Sequence, residues 1–233
     1  MYLRALLLLL FIGNVAADEQ VPFQADYEFR VNGMALGATA ITLVRETEAR
    51  WVYTDYTHPT GLLAAIGRDR REVSTLTLHD GSPRPLDFQG HDGFRSKPRA
   101  GTLHFDWNVG VVSGTWNNAP WSAPLTETFH DPLSYQLAIM HDLAQGKQTM
   151  DYLIAEDAKV KSYHFRMVGQ ETTTTLAGRF ETVRVEREQD SDKRHTTLWC
   201  APSLAYLPVQ VEQQDGGTRY GMVLRTIEGF AGR

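Results

Sequence analysis

The chain has a single cysteine, Cys200, among 233 residues. An internal disulfide is excluded, so stability has to come from a hydrophobic core and not from covalent staples. Long apolar runs are lacking too: no stretch reaches the roughly 20 residues that a membrane-spanning helix needs. Nor is there an excess of basic charge. Lys and Arg number 23 against 28 Asp and Glu, the net charge is −5, and the signs are interspersed. Nucleic-acid binders present a basic face and a positive balance, so nucleic acid is not an expected partner. The eight histidines form no HExxH pair, no HxH pair and no Cys–His zinc spacing. Gly110-Val111-Val112-Ser113-Gly114 sets its serine one place too late for a nucleophile elbow. No phosphate-cradling glycine loop is present. No catalytic residue, metal ligand or cofactor is assigned.

What is present begins with a leader. Arg4 precedes an apolar block from Ala5 to Ile12, Val15-Ala16-Ala17 supplies small residues, and Asp18-Glu19-Gln20 turns polar. This is the pattern of a secretory signal peptide cleaved between Ala17 and Asp18. No cysteine follows the apolar block, which closes the lipoprotein route. The expectation is a soluble periplasmic protein that does not span the membrane once cleaved. Residues 18–233 form one domain, without a long linker or a repeat of fixed period.

Period-2 alternation dominates that domain. Tyr27–Val31, Ala38–Arg45, Trp51–Thr57 and Arg71–Leu78 read as strands, the first two joined by an Asn32-Gly33 turn. Pro85–Gln89, Thr102–Trp107, Val109–Ser113 and Thr115-Trp116 follow, with Gly90–Gly101 as a wide loop and Asn117–Pro120 as a turn. One helix is expected over about 132–145: Asp131-Pro132 starts it, Leu133, Leu137, Met140 and Ala144 form its apolar stripe, and Gly146 ends it. After it come Thr149–Ile154, Lys159–Val168, Glu171–Leu176, Phe180–Glu188, Arg194–Cys200, Pro208–Gln213 and Tyr220–Ile227. The fold class is all-β, mainly antiparallel: a barrel or half-barrel of about ten to twelve strands with one packed helix.

Gly33-Met34-Ala35-Leu36-Gly37, Pro59-Thr60-Gly61-Leu62, Asp80-Gly81-Ser82-Pro83-Arg84-Pro85 and Asp131-Pro132-Leu133-Ser134-Tyr135 occur in an order that resembles the DUF3108 family. Leu176-Ala177-Gly178-Arg179-Phe180-Glu181-Thr182 and Leu207-Pro208-Val209 extend the resemblance to about residues 23–230. It implies an exported bacterial protein and no mechanism. A looser, architectural similarity is to the half-barrel lipoprotein carriers of the periplasm.

Nucleophilic chemistry finds little support. Ser134 stands near His130 and Asp131 in sequence, but Asp131 and Ser134 read as capping residues. His195 and Cys200 are five apart, on opposite faces of a strand, and Cys200 reads as a buried small residue. Trp51, Tyr53, Phe105, Trp107 and Trp199 fall on or beside strands; they read as core, or as the lining of a cavity for an apolar ligand. The expected function is non-enzymatic binding of a hydrophobic, lipid-like ligand or an envelope protein partner. The alternatives are a hydrolase acting on envelope polymers and an assembly factor that pairs through a sheet edge.

Overall fold

A computed structural model describes residues 21–66, 68–94, 98–188 and 194–230. The strands before the helix are β1 (Phe23–Val31), β2 (Met34–Arg45), β3 (Trp51–Pro59), β4 (Arg70–His79), β5 (Ser82–Asp92), β6 (Arg99–Asp106), β7 (Val111–Trp116), β8 (Ala119–Pro124) and β9 (Phe129–His130). Helix α1 (Ser134–Ala144) follows, then β10 (Thr149–Glu156), β11 (Lys159–Thr175), β12 (Gly178–Glu188), β13 (Arg194–Ala201), β14 (Leu207–Asp215) and β15 (Thr218–Glu228). All fifteen strands belong to one sheet, which starts at β8, descends to β1, passes to β15 and descends again to β9. The first and last strands of the chain are thus neighbours at the middle of the sheet. Every pairing is antiparallel except β9 with β10.

The sheet is an open half-barrel, because β8 does not pair with β9 or β10. The chain between β9 and β10 supplies α1, which packs against β5 on one side of the seam and β10 on the other. Leu133, Leu137 and Met140 join the core formed mainly by β1–β7, β14 and β15, whereas Ala138, Ile139 and Leu143 join that of β10–β13. Four consecutive helical residues, Leu137 to Met140, are buried. The expected one-sided stripe is therefore too narrow: the helix is a wedge gripped from two sides, and Ala144 at its end is only half-buried.

The strand count exceeds the expected ten to twelve. Two strands had no sequence signal: β8, whose first two residues fall in the expected Asn117–Pro120 turn, and β9, only two residues long. In the other direction, Lys159–Val168 and Glu171–Leu176 fuse into the 17-residue β11. The Val168-Gly169 step is not a turn but a β-bulge, where the register shifts between Met167 and Gly169. Two-residue turns with positive φ join the hairpins at Asn32-Gly33, Asp80-Gly81 and Asn117-Asn118, the conformation that matches strand twist. The apolar cluster after Thr60 forms a short 3-10 turn, Gly61–Ile66.

Candidate functional site

The inner face of the half-barrel follows from register, since alternate residues of a strand share a face. On β3 the buried residues are Trp51, Tyr53, Asp55 and Thr57. Trp51 pairs with Leu76, Tyr53 with Ser74, Asp55 with Glu72 and Thr57 with Arg70. Arg70 pairs in turn with Asp92, and Asp92 with Arg99. The inner face therefore changes along the strands. It is apolar at the end holding Trp51, Leu76 and Phe105, and charged at the end holding Arg70, Asp92 and Arg99. Across the seam, the β10 and β11 ends bring Glu156, Lys161 and Tyr163 to the same end.

The charged end is wired tightly. One Arg70 terminal nitrogen (Nη2) donates to Asp55 Oδ2 at 3.1 Å and to Glu72 Oε2 at 2.9 Å. Asp55 Oδ1 accepts from Thr57 Oγ1 at 3.1 Å, and Thr57 meets Thr39 at 2.8 Å. On the far side of the seam, Lys161 lies 2.9 Å from Glu156 and 3.2 Å from Asp157, while the Tyr163 hydroxyl donates to Glu156 at 2.8 Å. An ion pair between Arg99 and Asp157 ties β6 to the β10–β11 turn. Arg187 of β12 rests over the Tyr163 ring, 4.1 Å from its centroid. Tyr135, in the first turn of α1, meets Tyr163 edge-on at 5.6 Å and stacks on Phe165 at 6.0 Å.

This wiring shifts the titrations. Burial, reinforced by Asp55 and Glu156 and opposed by Arg70, pushes Glu72 up to about 7. Burial also opposes ionisation of Glu156, but Lys161, the Tyr163 hydroxyl and Arg99 together hold it below the usual carboxylate range. Burial raises Tyr135 to about 12.

A second polar knot lies deeper, between β4, β9 and α1. Asp131 Oδ1 accepts from the Leu133 and Ser134 amides at 2.7 Å each, and Ser74 Oγ donates to Asp131 Oδ2 at 2.6 Å. Ser134 Oγ accepts from the Asp131 amide at 3.1 Å and sits 3.4 Å from His130 Nδ1. Serine, histidine and aspartate thus converge, yet Ser134 and Asp131 are 0 % exposed and His130 4 %. No substrate reaches such a hydroxyl without unfolding its surroundings. Burial lowers His130 to about 4 and raises Asp131. The knot is structural: Asp131 caps the helix although it stands two residues before the N-cap position, Leu133.

Of the five aromatics singled out by sequence, Trp51, Tyr53 and Phe105 are at most 3 % exposed and belong to the packed core. Trp107 and Trp199 are half-buried against it. The Trp107 indole nitrogen donates to the Pro85 carbonyl at 2.7 Å, and that of Trp199 to Glu171 Oε1 at 2.7 Å. Ala17 and Asp18, the expected cleavage site, lie outside the described residues. Cys200 is fully buried, and burial pushes its thiol up to about 12. Sequence reading missed Asp55, Arg70, Glu72, Tyr135, Glu156 and Arg187. A signal existed for three of them: Asp55 continues the alternating set Trp51, Tyr53, Glu156 the set Met150, Tyr152, Ile154, and Arg187 the pair Val183, Val185, so in each case a charge falls on the inward side of an otherwise apolar face. Among the described residues no group of three or more His, Cys, Asp or Glu could hold a metal ion, and no helix is long and apolar enough to cross a membrane.

The family model of DUF3108, a protein of unknown function, matches residues 23–223. No curated protein matches the chain. Among solved structures, the β-barrel-like protein of domain of unknown function DUF1849 from Brucella abortus superposes with a TM-score of 0.59 at 11% identity, covering 91% of this chain and 98% of that one. At that identity the likeness speaks for the fold alone.

Proposed function

Because the chain belongs to the DUF3108 family, whose description names no activity, we propose from the site itself that it is a non-enzymatic protein of the bacterial envelope, exported to the periplasm, that binds a lipid-like amphiphile at the charged end of the half-barrel. The observation that carries this reading is the change of the inner face from apolar to charged toward an end that is also ringed by exposed apolar side chains. Met34 opens β2, Val160 follows the β10–β11 turn, Tyr220 lies at the start of β15, and Phe94 follows β5; all four are more than a third exposed. Phe29 of β1 stacks on Phe94 at 6.2 Å and on Tyr220 at 6.5 Å, which links two of them across the sheet. An apolar rim beside a charged interior suits a ligand with a chain and a polar head. Burial of the chain would supply about 0.8 kcal/mol per methylene, and the head would meet fixed charges. In this reading Trp51, Tyr53 and Phe105 form the floor beneath the ligand, Trp107 lies beyond them past the end of β6, and Trp199, paired with Arg184, is on the face opposite Val185 and takes no part.

Native mass spectrometry with solvent extraction, on protein recovered from the periplasm, tests the reading. The expected result is one amphiphile per chain, released on extraction. A clean apo mass, with no binding of added amphiphiles, overturns it.

A further inference from the structure

This end holds five carboxylates, Asp55, Glu72, Asp92, Glu156 and Asp157, and four cations, of which three have a carboxylate partner. Asp55 and Glu72 share Arg70. Glu156 and Asp157 share Lys161, and Asp157 also has Arg99. Arg187 is left over: it lies on the inward register of β12, between the buried Val185 and the strand end, and among the described residues no carboxylate pairs with it. Its contact is the Tyr163 ring, a cation–π interaction that leaves the guanidinium edge free to donate. A second donor is also unsatisfied. Arg70 Nε is buried and has no acceptor. Buried donors in native proteins find partners in nearly all cases, and an exception calls for a water, an ion or a ligand. Tyr135 and Arg187 share the Tyr163 ring, at 5.6 Å and 4.1 Å from its centroid, and Arg70 is near enough to Tyr135 to favour its ionised form.

We propose that Arg187, Arg70 Nε and the Tyr135 hydroxyl form the seat of an anionic head group, a carboxylate or phosphate ester carried on an apolar chain. This rests on the amphiphile reading above and names the head-group class. Arg187 presents the fork that matches a carboxylate or phosphate edge, and Arg70 is held in place by Asp55 and Glu72. Glu72 sets the pH dependence. The groups facing it are Asp55 from β3, Arg70 on its own strand, Tyr135 from α1 and Glu156 from β10, with Asp92 from β5 acting on Arg70. A protonated Glu72 adds a donor and removes a repulsion, so an anion binds best below the Glu72 midpoint of about 7.

The test is calorimetric titration of the purified protein with dodecanoate and dodecyltrimethylammonium, both below their micellar concentrations, and with acetate, between pH 6 and pH 8. Dodecanoate is expected to bind at least about tenfold tighter than the cationic amphiphile, with affinity falling as pH rises. Arg187→Gln is expected to lose about tenfold or more, the worth of a hydrogen bond to a charged group. Arg166→Gln, on the outer face beside Glu188, is expected to change nothing, and Glu72→Gln to flatten the pH dependence. If Arg187→Gln lacks a native circular-dichroism spectrum, Arg187→Lys replaces it; the charge without the fork should weaken dodecanoate several-fold. Equal binding of the two amphiphiles, or a folded Arg187 variant with unchanged affinity, overturns the anion seat and leaves the amphiphile reading standing. Acetate binding as tightly as dodecanoate keeps the seat and overturns the amphiphile reading. Binding of none of the three overturns both.

Discussion

Half-buried Glu72 and buried His130 have opposite consequences for stability. The Glu72 carboxyl titrates near 7 in the fold against 4.5 ordinarily. The native state therefore binds its proton more tightly, and the stability this adds is full below about 4.5 and lost as pH rises through about 7. His130 titrates near 4 against 6.5. Its contribution is full above about 6.5 and lost as pH falls through about 4. Between these limits the two slopes oppose each other, and the melting temperature of the native sequence should change little from pH 4.5 to 6.5. Glu72→Gln removes one slope, so its melting temperature should climb with pH over that window. Thermal melts of the two proteins at four or five pH values decide it; parallel curves would refute the assignment. Asp131 acts through hydrogen bonds. It accepts three buried ones from Ser74, Leu133 and Ser134, so Asp131→Ala should cost about 2–4 kcal/mol in urea unfolding. The buried Cys200 thiol, raised to about 12, should resist iodoacetamide at pH 8 until the chain is unfolded.

At the scale of the element, α1 is unusual in having no free side. Leu137 packs toward β1–β7 and Ile139 toward β10–β13, and two residues apart on a helix is roughly 200° of rotation. On a helix lying flat on one sheet, one of the two would be exposed and cheap to replace. Here Leu137→Ala and Ile139→Ala should each cost about 2–5 kcal/mol, measured as the shift in urea midpoint at constant slope. A silent Ile139→Ala would mean that the second half of the sheet does not grip the helix. The sequence carried the existence and ends of α1, because Asp131-Pro132 and Gly146 act locally. It did not carry the second buried face. Ala138 and Leu143 lie outside the stripe drawn through Leu133, Leu137 and Met140, and only the return of β10–β13 around the helix makes them core. The same limit applies to the charged end. Arg70 and Glu72 flank a third charge, Arg71, on their strand, so nothing local distinguishes an inward charge from a solvated one. Pairing with β3, where Trp51 and Tyr53 fix the inward side, makes that distinction.

For the whole molecule, an open sheet raises the problem of its edges. A closed barrel has none, whereas this sheet ends at β8 on one arm and at β9 and β10 on the other. A free strand offers a row of donors and acceptors to any passing chain. The β10 edge is partly occupied by β9, through Leu153 and Ile154. The β8 edge is blunted chemically. Pro120 and Pro124 pair with Thr115 and Val111 of β7, and a proline tolerated in such a ladder turns its nitrogen to the free side. Residues 120, 122 and 124 share that side by alternation, so Ser122 is the only donor left among them. This arrangement disfavours assembly by edge pairing and explains in physical terms why β8 was invisible in sequence: Pro120, which protects the edge, is also the residue that closes the expected Asn117–Pro120 turn. Restoring the donors should expose the liability. The double variant Pro120→Thr, Pro124→Thr keeps the β7 pairing and adds two outward amides beside Ser122. Sedimentation velocity over a range of protein concentrations should then show dimers or larger species that the native sequence lacks at the same concentration. A variant that stays as dispersed as the native chain would mean that something other than the missing donors guards β8, the half-buried Trp121 packed against the core being the residue to alter next.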